Sequence, residues 1–69
     1  MSKFKTNFGK RLRELRLDAV VTQEQLAEVI RETIESVSNM ERGIYGPKFE
    51  NIEKIALALD VPVKSLFDF

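Results

Sequence analysis

Between Thr22 and Gly43 the chain carries start and stop signals for two short helices joined by a tight turn, and no other stretch restricts the fold as much. Thr22 is a favoured N-cap residue, and Gln25 three residues later completes a capping box. Leu26, Val29 and Ile30 form the apolar face of the helix that follows. Arg31-Glu32 makes the turn. Thr33 caps the next helix, which runs to Glu41, with Val37 and Met40 facing inward. Gly43 ends it, because the left-handed closing position costs glycine no Cβ clash.

The flanking segments are also helical in pattern. Phe4, Phe8, Leu12 and Leu15 recur at helical spacing, so residues 6–18 are predicted to form an amphipathic helix capped by Thr6 or Asn7. Ile44-Tyr45-Gly46-Pro47 reads as a loop. A fourth helix is expected from Phe49 to Leu59, burying Phe49, Ile52, Ile55, Ala56 and Leu59. Asp60-Val61-Pro62 breaks it, and Pro62 opens a last turn whose Leu66 and Phe67 pack back. The expectation is all-α: one 69-residue domain of five short helices. Its core would hold Phe8, Leu12, Leu15, Leu26, Ala27, Ile30, Val37, Met40, Ile52, Ile55, Ala56 and Leu59. A chain this small buries only about 60% of its unfolded surface.

Composition excludes several function classes. There is no His and no Cys, which removes the usual nucleophile–base pairs, disulfides and His/Cys metal sites. No glycine-rich phosphate loop is present. Neither an enzyme nor a cofactor, metal or small-molecule substrate is expected. No apolar run approaches the ~20 residues of a membrane span, and Met1-Ser2-Lys3-Phe4-Lys5 lacks the apolar region of a leader. A cytoplasmic protein without a membrane partner is expected. Net charge is zero, from 11 basic and 11 acidic residues, but unevenly placed. Residues 1–31 hold seven Lys or Arg against four Asp or Glu, and residues 32–69 the reverse. Lys5, Lys10, Arg11, Arg13 and Arg16 share one segment, read either as a solvated face or as a basic side turned to phosphate.

The pattern Thr22-Gln23…Leu26-Ala27 followed by Glu41-Arg42-Gly43 resembles the helix-turn-helix of the phage repressor and Cro family of bacterial transcription regulators, with similarity from about Phe8 to Phe67. The resemblance implies a lambda-repressor-like five-helix fold whose third helix enters the major groove of double-stranded DNA. It implies that Thr33, Ile34, Glu35 and Asn39 lie toward DNA, and Ser36 is a further outward residue of that helix expected at the groove. Asn39 suits adenine, Glu35 a cytosine amino group and Ile34 a thymine methyl. Glu35 reads equally as a first-turn acid that complements the helix dipole. Gln23, at a helix start beside free N–H groups, would brace a phosphate. Arg42, Tyr45 and Lys48 match the loop that contacts the DNA backbone, although Tyr45 could instead pack on the fourth helix. Arg16 and Glu41 match an interior salt bridge. Three positions depart from the family pattern: Val20 and Arg31 replace turn glycines, and Lys48 replaces a Ser or Thr cap.

One such domain buries only about 600–1,000 Å² on DNA, so a homodimer on a palindromic operator is expected. Val61, Val63, Leu66, Phe67 and Phe69 form the candidate dimer surface. The alternative is a protein-interaction module of the same fold, an antitoxin or adaptor, which Glu32 and Glu35 on the reading face and the zero net charge favour.

Overall fold

The computed structural model describes residues 3–69; Met1 and Ser2, part of the stretch read above for a leader, lie outside the described residues. Among the described residues there are four α-helices and two 3-10 segments, and no strand: α1 Lys3–Asp18, α2 Gln23–Ile30, α3 Ile34–Glu41, a 3-10 turn Phe49–Asn51, α4 Ile52–Leu59 and a 3-10 turn Val63–Phe67. The expected fifth helix is therefore a 3-10 segment.

Local chemistry sets the helix starts. Thr22 Oγ1 accepts from the Gln25 backbone N–H at 3.0 Å, and Gln25 Oε1 accepts from the Thr22 N–H at 2.9 Å, closing the capping box. Thr33 Oγ1 accepts from the Ser36 N–H at 3.0 Å and caps α3. Lys48 makes no side-chain cap bond. The chain there starts instead with a tighter turn, in which the Asn51 N–H donates to the Lys48 carbonyl at 2.9 Å. That tighter turn corrects the stripe drawn at α-helical period: Phe49 is 90% exposed rather than buried, and Ile52 is half-buried.

α1 begins earlier than predicted, so Thr6 and Asn7 lie within it rather than at its cap. Aromatic packing holds its first turn. Phe4 stacks on Phe67 at 6.0 Å between ring centres and meets the edge of Phe69 at 5.6 Å, while Phe8 lies 5.4 Å from Phe67. Arg11 Nε adds a 2.8 Å bond to the Ser65 carbonyl. The C-terminal turn is thus strapped along α1.

The four helices stop by one device. A residue in the left-handed region follows each, and paired backbone bonds cap the last carbonyls. These residues are Val20 at φ 56°, Arg31 at 57°, Gly43 at 80° and Asp60 at 57°. At the end of α1 the Val20 N–H bonds the Leu17 carbonyl and the Val21 N–H bonds that of Arg16, each at 3.0 Å. Only Gly43 takes this conformation without steric cost.

The core comprises Phe8, Leu12, Leu15, Leu26, Ala27, Ile30, Val37, Met40, Ile55, Ala56, Leu59 and Leu66. Leu66 was expected on a dimer surface; its side chain has no exposed area and fills the space between α1 and α4. Gly9 marks the crossing of α1 and α3. A Cβ there would lie 2.7 Å from the Glu41 carbonyl oxygen and also strike that of Met40. The two backbones therefore touch with no side-chain layer between them.

Candidate nucleic-acid interface

α3 turns Val37 and Met40 into the core, and this rotation fixes what it shows to solvent. Thr33, Ile34 and Glu35 are exposed at its start; Ser36 and Asn39 are half-buried along the same side. Ile34 is 48% exposed although apolar, so its position is not set by core packing. None of the five residues expected at the bases is in the core.

Behind the other end of α3 lies a polar knot. Arg16 Nε donates to Glu41 Oε2 at 2.5 Å and its terminal nitrogen to Glu41 Oε1 at 3.1 Å. A further Arg16 nitrogen donates to the Val21 carbonyl at 2.9 Å. The Glu41 side chain is only 4% exposed, so both charges are held away from water with their hydrogen bonds made. Gln23 joins the same knot: its Nε2 donates to Glu41 Oε1 at 3.1 Å. The side chain read as a phosphate brace is thereby fixed at the start of α2, with the amide nitrogen turned towards Glu41. Arg16 is an interior group and not part of a basic outer face. Arg11 is likewise engaged, with Ser65, Glu14 and Asp68; Lys5, Lys10 and Arg13 are the exposed cations of that segment.

The loop after α3 brings Tyr45 and Lys48 beside Ser36 of α3. Tyr45 is 57% exposed and lines an open notch with Glu32, Ser36, Gly46, Lys48 and Asn51. Arg42 is exposed at the end of α3. Lys48 is not an isolated cation, because its Nζ lies 2.8 Å from Glu32 Oε2. Ser36 and the buried Asn51 line the same notch as Glu32. Lys48 above all holds the Glu32 carboxyl below its ordinary value, against the opposing effect of burial. Glu32 in turn pushes the Lys48 ammonium up. From sequence, Glu32 is a turn residue and an acid on the supposed DNA face, and Asn51 has no role. Their pairing depends on the loop folding back over α3, for which the sequence carries no local signal.

At the C-terminus the proposed dimer residues separate. Leu66 is in the core, and Phe67 is half-buried against Phe4 and Phe8. Val63 and Phe69 are exposed, Val61 is half-buried, and Leu57 on α4 is 81% exposed. No helix is long and apolar enough to cross a membrane among the described residues.

The helix-turn-helix family profile matches residues 12–66. The chain is 40% identical over 63 residues to the control protein C.BamHI of Bacillus amyloliquefaciens, covering 90% of this chain and 78% of that one. The crystal structure of the restriction-modification controller protein C.AhdI from Aeromonas hydrophila superposes with a TM-score of 0.82 at 40% identity, covering 90% of this chain and 94% of the other. The clp gene regulator ClgR from C. glutamicum superposes at 0.86 with 29% identity, over 96% of this chain and 85% of that one. Capped helices, an outward polar face on α3 and the Arg16–Glu41 knot thus occur in a chain that belongs to the Cro/C1-type helix-turn-helix family of DNA-binding transcriptional regulators.

Proposed function

We propose that the chain, as one domain, is a sequence-specific regulator of the restriction-modification controller kind that inserts the start of α3 into the major groove of a palindromic operator. The observation that carries this reading is the outward face of α3. Ile34 and Glu35 are exposed although neither is needed to hold the helix, while Thr33 caps it and Val37, Met40 and Glu41 seat it. Thr33, Ile34, Glu35, Ser36 and Asn39 face the bases, and phosphates are met by Gln23, Arg42 and Tyr45. The controller assignment rests on the relatives C.BamHI and C.AhdI. The protein acts in the cytoplasm, where its duplex lies, and performs no catalysis.

Two copies bind together. The dimer surface is drawn from Leu57, Val61, Val63 and Phe69, which leave apolar area uncovered on α4 and the C-terminal strap. Half-site centres then lie about 34 Å apart, one turn of duplex. Selection from a pool of random duplexes tests the reading and is expected to return a two-fold symmetric site. Recovery of no preferred sequence would overturn it in favour of a protein-interaction module. Sedimentation should show concentration-dependent dimers that Leu57→Glu abolishes; a strict monomer both free and on DNA would refute the dimer.

A further inference from the structure

The Glu32–Lys48 pair alters what Lys48 does at the interface. Taken alone, Lys48 is a loop cation beside the reading face and a natural phosphate contact. Its Nζ is 2.8 Å from Glu32 Oε2, however, and the two side chains differ in freedom: Lys48 is 64% exposed, Glu32 only 21%. Glu32 sits in a notch walled by Ser36 and Met40 of α3 and by the buried Asn51 at the head of α4. The carboxylate is thus the enclosed partner and Lys48 the free one. A duplex seated on α3 removes water from this notch and brings phosphate charge towards it. Were Lys48 to leave for a phosphate, Glu32 would face the polyanion with no cation, and an unpaired charge in a water-poor site is strongly disfavoured.

We infer that on bound DNA Lys48 remains with Glu32, so that the pair is a charge-neutral clamp joining the loop to α3 and Lys48 displaces no counterion from phosphate. This rests on the DNA-binding reading above. Glu32 is a positioning residue: it ties the loop at Lys48 to the turn before α3, while withholding one positive charge from the DNA backbone.

Salt dependence separates this from simple anchoring. Each neutralised phosphate adds about 0.9 to the slope of log affinity against log salt. Lys48→Ala in the wild-type background is expected to leave that slope unchanged. Glu32→Gln keeps the shape of the side chain but removes its negative charge, and so frees the Lys48 charge. Its slope should steepen by about 0.9, so the affinity lost between about 50 and about 200 mM salt grows by about 3.5-fold. Adding Lys48→Ala to Glu32→Gln should restore the wild-type slope. The inference is overturned if Lys48→Ala alone flattens the slope by about 0.9, which would put Lys48 on a phosphate. It is equally overturned if Glu32→Gln leaves the slope unmoved, or steepens it even without Lys48, which would make Glu32 a general repulsive charge. Should Glu32→Gln melt too low to assay, the Lys48→Ala slope decides alone. Failure of the DNA reading itself is distinguishable, because the wild-type protein would then prefer no duplex.

Discussion

Replacing Val20 with glycine should make the protein more stable. Val20 closes α1 at φ 56°, a conformation that costs an L-residue roughly 1–2 kcal/mol, with β-branched side chains at the upper end. Its side chain is 86% exposed, so truncation forfeits little packing. Against the relief stands the greater freedom of glycine in the unfolded chain, about 0.4–1 kcal/mol. The net gain is about 1 kcal/mol. Unfolding entropy of about 2.1 cal/mol/K per residue converts this, for a 69-residue chain, to a Tm rise of about 7 °C. Thermal unfolding followed by circular dichroism reads the shift. Val20→Ala provides the control: it removes the methyl groups but keeps a Cβ in the left-handed region, and should recover only a minor part. A Val20→Gly protein that melts at or below wild type would refute the reasoning. A Val20→Ala variant as stabilised as Val20→Gly would show that the methyl groups, not the left-handed backbone, carry the cost.

Other expectations concern the polar groups. Arg16→Ala leaves Glu41 buried without its cation and should cost about 3–5 kcal/mol, a large part of the roughly 3–10 kcal/mol available to so small a domain; urea denaturation measures it, and a loss under about 1 kcal/mol would mean the pair is not buried in solution. Asn39→Ala and Glu35→Ala should each relax preference at one base pair per half-site by about 1–3 kcal/mol, seen as a change in the selected sequence; if Glu35→Ala instead tightens binding to every duplex alike, Glu35 reads no base. Stability should also follow pH in two windows. Glu32 has a lowered carboxyl, so its contribution is present above its ordinary 4.5 and fades as acid drives pH down through the folded value. Lys48 has a raised ammonium, so its contribution is complete below its ordinary 10.5 and fades as pH rises through the folded value. Lys48→Ala should shrink both effects, and an unchanged pH profile would contradict the pairing.

The helix starts were legible because capping is a matter of three or four adjacent residues. Thr22 with Gln25 and Thr33 with Ser36 need no distant partner. Gly43 was legible for the same reason. Val20 and Arg31, where glycine is the family habit, still adopt the left-handed turn. There the packing of successive helices outweighs a cost of roughly 1–2 kcal/mol per residue. What sequence could not supply was long-range. Phe49 lies in a 3-10 turn, where α-helical spacing misassigns the buried side, and Leu66, expected both to pack back and to serve a dimer surface, does only the first. The Lys48 charge was read without Glu32, and Gly9 offered no hint that another backbone lies against it.

That contact at Gly9 has a bearing on how such a protein can change its target. The far end of α3 is seated backbone to backbone on α1 and pinned by Arg16 and Gln23 through Glu41. Nothing in this seat involves the side chains of Ile34 or Glu35. The helix behaves as a cassette whose lettering is separable from its mounting. On the proposed DNA reading, exchanges at positions 34 and 35 would retarget the protein without disturbing the angle at which it is presented. A single methyl at position 9 would do the opposite, keeping every letter while forcing the helix off its seat.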